Sequence, residues 1–123
     1  MARVLALTAD LLFGSRIQGD LTAAGDEVEL VADEARLRAR LAEAGKPVAN
    51  VLVVDLTDAR LPGAAVVEAL AGEGALDAIG TLGFYSHVDV AARERAERAG
   101  FDLVVPRSRM AREGAELVAR LVG

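Results

Sequence analysis

Runs of consecutive apolar residues alternate along the chain with segments in which apolar residues recur every three or four positions. Such runs lie at residues 3–8 (RVLALT), 50–56 (NVLVVDL), 78–85 (AIGTLGFY) and 101–106 (FDLVVP), while 26–32 (DEVELVA) alternates in strand fashion. Between and after them, helical spacing is read at 11–25, 33–45, 61–74, 87–100 and 108–123. In the first helical segment Leu12, Ile17, Leu21 and Ala24 fall near one face, and Gly25 closes it. Asp33 is an N-cap for the second, which carries Leu37 and Leu41 four apart and ends at Gly45. Pro62 and Gly63 open the third. Ser86 and Asp89 have the spacing of a reciprocal capping box for the fourth, which ends on Gly100. Pro106, without an N–H, stops the last strand, and Ser108 is placed to cap the last helix. Gly114 within that helix costs about 1 kcal/mol relative to Ala.

Strands made of continuous apolar residues are buried on both faces, which calls for a parallel sheet with helices on each side. Five strand–helix units are too few for a closed eight-unit barrel. The pattern therefore predicts a single α/β domain over residues 1–123, a doubly wound five-stranded parallel sheet in a three-layer α/β/α arrangement. No internal repeat or low-complexity tract divides it, and AEAGKPVAN (42–50) reads as a loop.

Composition narrows the function classes. Of 123 residues, 53% are hydrophobic and 27% charged, a globular balance with enough chain to bury a core. Without cysteine there is no disulfide scaffold, thiolate metal site or cysteine nucleophile. The N-terminal stretch, interrupted by Asp10, is too short for a signal peptide or a membrane span, so a cytoplasmic location is expected. A net charge of −5 opposes nucleic-acid binding, which needs a basic face. The arginines cluster at 36–40, 93–98 and 107–112. Each group is mixed with glutamates at helical spacing, as on a solvated, ion-paired surface.

In open α/β sheets, ligands bind at the carboxyl ends of the strands. Those ends carry Thr8, Ala9 and Asp10; Asp55, Thr57 and Asp58; Tyr85, Ser86, His87 and Asp89; and Arg107, Ser108 and Arg109. Asp55 directly follows VLVV. A carboxylate there can attack a phosphoryl group with a divalent cation in support, or it can cap the following loop through backbone N–H groups. Asp10 can ligate a cation or cap the first helix. His87, the only histidine, suits a pH-sensitive contact, an anion donor or a loop surface. Arg107 and Arg109 beside a helix start oppose its dipole, which suggests pairing with Asp55, Asp58 or Asp89, or anion binding. Ser86, His87 and Asp89 are too close together in sequence to form a serine-hydrolase relay.

The strand–helix order, VLVVDL with Asp55, the polar tract GFYSHVD and the ending VVP together resemble the receiver domain of a bacterial response regulator across essentially the whole chain. FYSHVD with VPRSRM also resembles a small group of bacterial receiver-like proteins. The resemblance implies strand order 2-1-3-4-5. It also implies Asp55 as phosphoacceptor, a hydroxyl at Ser86 or Tyr85, and a protein partner, either a histidine kinase or a second copy, on the face of helix four, strand five and helix five. The sequence departs from that family where Mg²⁺ would be held. The usual acidic pair falls at Thr8 and Ala9, with Asp10 displaced, and the usual lysine falls at Pro106, followed by Arg107. Asp10 and Asp55 are the only metal candidates, and Mg²⁺ is implied only if Asp55 is phosphorylated; otherwise no cofactor is expected.

Three functions follow. The first is a stand-alone receiver-like signalling or adaptor domain, a pseudo-receiver with a degenerate phosphorylation site that acts through protein contacts. The second is a genuine response regulator phosphorylated on Asp55. The third is a flavodoxin-like small-anion or nucleotide binder using Arg107, Ser86 and helix N-termini, the candidate polar or anion site being Asp10, Ser86, His87 and Arg107. An ordinary enzyme is the least supported, autophosphorylation of Asp55 aside.

Overall fold

The computed structural model describes residues 2–43, 49–86 and 88–122. Five strands, β1 (Arg3–Leu7), β2 (Glu27–Val31), β3 (Val51–Asp55), β4 (Gly80–Tyr85) and β5 (Leu103–Pro106), form one sheet in the order β2-β1-β3-β4-β5. Every pairing is parallel, with Val4 opposite Val51, Val51 opposite Gly80 and Leu82 opposite Leu103. The helices are α1 (Leu11–Ala23), α2 (Glu34–Leu41), α3 (Gly63–Gly72), α4 (Val90–Ala99) and α5 (Arg107–Val122).

Side-chain alternation along the strands divides the core into two layers. Val4, Ala6, Val51, Val53 and Leu82 pack with Phe13, Ile17 and Leu21 of α1 and with Met110, Leu117 and Val118 of α5. Leu5, Leu7, Leu52 and Val54 pack on the other side with Leu37 of α2 and Val66, Val67 and Leu70 of α3. β3 is buried at all five positions, as its apolar run requires, whereas edge strand β2 alternates. Gly83, which weakens β4 on propensity, lies where a Cβ would come within 2.9 Å of Leu56 Cδ1 and 3.1 Å of the Phe101 ring. At the start of β5, the Asp102 carboxylate accepts the Thr81 backbone N–H at 2.8 Å. The Asp102 N–H donates to the Thr81 hydroxyl at 2.9 Å.

Several local expectations shift. The buried stripe of α1 is Phe13, Gly14, Ile17 and Leu21, while Leu12 is 87% exposed. Gly14 sets that rotation: its lack of a side chain brings the helix down onto Thr8 Cγ2. Helix α4 starts at Val90 with Asp89, not Ser86, as N-cap: the Asp89 carboxylate accepts the Ala92 N–H at 3.0 Å. The Ser86 carbonyl accepts the Asp89 N–H at 2.8 Å, a turn that holds Ser86 at the strand end. Helix α5 begins at Arg107 directly after Pro106, so Ser108 lies inside its first turn and does not cap it. Asp33 caps α2 as expected, and Gly100 ends α4 at φ 96°. The expected end of the second helix at Gly45 and the residue His87 lie outside the described residues.

Candidate functional site

The topology gathers the strand ends at one edge of the sheet. Asp55 ends β3 and is only 1% exposed. A buried carboxylate is costly unless hydrogen-bonded, and this one accepts three bonds. Its Oδ2 takes the Thr8 hydroxyl at 2.7 Å. Its Oδ1 takes the Thr57 N–H at 2.7 Å and the Thr57 hydroxyl at 2.5 Å. The bonds to Thr57 form a closed Asx-type turn. Thr8 is fixed in turn, because its hydroxyl oxygen accepts the Asp10 N–H at 3.1 Å.

Asp10 is the N-cap of α1, its Oδ1 accepting the Phe13 N–H at 3.0 Å. Its Oδ2 accepts from Arg107 Nη2 at 3.1 Å. Arg107 therefore pairs with Asp10, not with Asp55, Asp58 or Asp89. The same guanidinium lies 4.2 Å from the centroid of the Phe13 ring, which packs against Phe84 at 5.1 Å. Asp58 is engaged by Arg60 through both side chain and backbone N–H. The side-chain bond is the larger cause holding its carboxyl below the ordinary range.

Asp10, Asp55 and Asp58 line a common recess of about 380 Å³ together with Thr57 and Arg60. The receiver resemblance implies Mg²⁺ here, where the candidate carboxylates already have partners. Thr8 and Ala9 offer no carboxylate, and the three aspartates are bound to Arg107, to Thr8 and Thr57, and to Arg60. No three acidic or histidine side chains among the described residues are placed to share a metal ion. Ser86 and Arg107 line a separate and larger groove on the α1–α5 side, of about 590 Å³.

Thr8 as a donor to Asp55 and Phe13 as the platform for Arg107 were not foreseen from sequence. The Asp-x-Thr spacing at 55–57 is a local signal that identifies Thr57. The Phe13–Arg107 stack joins opposite ends of the chain and leaves no local signal.

Most of the clustered arginines are ion-paired. Arg38 bridges Glu34 and Glu73, Arg95 binds Glu68 of α3 from α4, and Arg93 pairs with Glu97. Arg40 binds Glu29 and Glu43, and Arg109 binds Glu113. No helix among the described residues is long and apolar enough to cross a membrane.

No sequence-family model matches the chain, and no curated protein sequence does. Solved structures do match. The receiver domain of Francisella response regulator 1452 superposes with a TM-score of 0.83 at 14% identity, covering 99% of this chain and 97% of that one. The chemotaxis response regulator CheY4 of Vibrio cholerae gives 0.81 at 19% identity, covering 98% of each chain. The receiver domain of TorR, the response regulator of the TMAO respiratory system, gives 0.83 at 19% identity, covering 99% and 97%. The chain has the fold of response-regulator receiver domains.

Proposed function

We propose that this receiver-fold chain is a signalling module that works through protein contacts, with Asp55 serving as a structural carboxylate and not as a phosphoacceptor. The observation that carries the reading is the enclosure of Asp55 by Thr8 and Thr57, with Asp10 drawn to Arg107. In-line attack on phosphorus requires a free carboxylate oxygen and a cation that neutralises the transferring oxygens. Here both oxygens of the 1% exposed Asp55 are bound to donors, and Asp10, the other metal candidate, is held by a guanidinium.

The partner surface in this reading is the face of α4, β5 and α5. Edge strand β5 is short and half-buried at three of its four positions, and Arg98 of α4 is exposed. A second copy and an upstream histidine kinase are the two partner types that fit this fold.

The test is incubation with a small acyl phosphate and Mg²⁺, followed by intact mass measurement. The expected outcome is an unmodified mass. A gain of one phosphoryl group that disappears in Asp55→Ala overturns the reading in favour of a phosphorylated regulator.

A further inference from the structure

The groove beside the Asp55 recess has a composition that the chain as a whole does not. In a protein of net charge −5, its charged lining among the described residues consists of Arg16 and Arg107, with no acidic residue. Three hydroxyls from separate elements join them: Thr57 after β3, Ser86 after β4 and Ser108 in the first turn of α5. Phe13 and Ala111 supply apolar wall. Among the described residues Arg16 has no ion-pair partner, and the side chains of Ser86 and Ser108 have no hydrogen-bond partner. Most other arginines of the chain are committed to carboxylates. Arg107 gives one nitrogen to Asp10 and is fixed against Phe13, so it is held in place before any ligand arrives.

We infer that this groove binds a phosphate monoester carrying an apolar or aromatic group. Two guanidiniums and the hydroxyls of Ser86 and Ser108 suit a dianionic tetrahedral head, the Thr57 hydroxyl being given to Asp55, whereas a single carboxylate is satisfied by one guanidinium fork. The Phe13 and Ala111 wall suits the apolar body, and about 590 Å³ lies within the size range of small-molecule sites. The site adjoins Asp55 through Thr57 but involves no covalent step, so it stands whether or not Asp55 accepts phosphate.

The test is titration of the isotope-labelled protein with phenyl phosphate in chelator-containing, Mg²⁺-free buffer, followed by amide chemical shifts. Excluding Mg²⁺ separates binding from any modification of Asp55. Saturable shifts centred on Thr57, Ser86, Ser108 and Ala111 are expected. Affinity should fall about tenfold in Arg16→Gln, the loss of one charge-assisted contact, and hold in the surface control Arg36→Gln. Inorganic phosphate should bind more weakly. Shifts that do not saturate, an Arg16→Gln variant that binds as well as the parent, or equal affinity for inorganic phosphate would each overturn the inference.

Discussion

Arg107 and Asp10 are 97 positions apart in the chain and meet at 3.1 Å, joining the first turn of α5 to the N-cap of α1. The pair is partly exposed, at 44% and 37% for the two side chains. An ion pair of this kind contributes at most about 1 kcal/mol, and the stack on Phe13 adds roughly 0.5–1 kcal/mol. Arg107→Ala is expected to lower stability by about 1 kcal/mol in urea unfolding. Arg107→Lys should recover part of that, since it keeps the charge but loses the planar stack. Asp10→Asn retains a cap for Phe13 and removes only the charge. A double-mutant cycle of Asp10→Asn with Arg107→Ala that shows no coupling would mean that the pair does not tie α5 to α1.

Asp55 yields a prediction of sign. Where carboxylates crowd a metal site, removing one relieves repulsion and stabilises the fold. Here Asp55 satisfies Thr8 and Thr57, so its loss strands buried donors. Asp55→Ala is expected to cost about 2 kcal/mol, and Asp55→Asn less, since an amide oxygen still accepts from Thr57. A raised unfolding midpoint in Asp55→Ala contradicts the structural role.

The sheet was legible because its inner strands are largely apolar runs and edge strand β2 alternates, and Asp55 stood out as a carboxylate directly ending the most apolar run. Local chemistry such as the Asp33 cap was legible too. What the chain hides is relative position. That Leu12 faces solvent depends on how closely Gly14 lets α1 approach Thr8. That Asp89 rather than Ser86 caps α4 depends on the bond from the Asp89 N–H to the Ser86 carbonyl. The choice of Asp10 over Asp55 as the partner of Arg107 is made by the sheet order, which sets α5 beside α1, and by the Phe13 ring that fixes the guanidinium.

Surface pairing sets an acid limit. The Glu73 carboxyl is held below its ordinary range chiefly by its hydrogen bonds to Arg38, and Asp58 likewise by Arg60. A carboxyl whose pKa is lower in the folded state stabilises above its unfolded value, and that contribution is lost as pH falls through the folded value. Stability should therefore decline as pH drops below about 4.5, the upper part of the ordinary carboxyl range. Arg38→Gln should flatten the decline, because it abolishes the Glu73 shift. The check is the urea midpoint across that interval in low and high salt. Salt should weaken the difference between parent and variant, since both partners are solvent-facing.

Two helical glycines are expected to respond in opposite directions to the same substitution. At Gly63, which opens α3, an added Cβ would come within 2.5 Å of Val54 Cγ1 and 3.3 Å of the Asp55 carbonyl oxygen. Val54 is fully buried in a central strand and cannot yield without displacing the Asp55 backbone. Gly63→Ala should therefore cost about 1–3 kcal/mol by overpacking, despite alanine's better helix propensity. At Gly114 in α5 the nearest atom is the terminal methyl of Met110, at 3.2 Å, the far end of a flexible thioether. Little stands against the gain of up to about 1 kcal/mol in helix propensity. That gain also acts beside Glu113, where the helix departs from helical geometry at φ −125°. Gly114→Ala should raise the thermal midpoint and Gly63→Ala should lower it. If both shift the same way, the close approach of α3 to β3 is not what keeps residue 63 small.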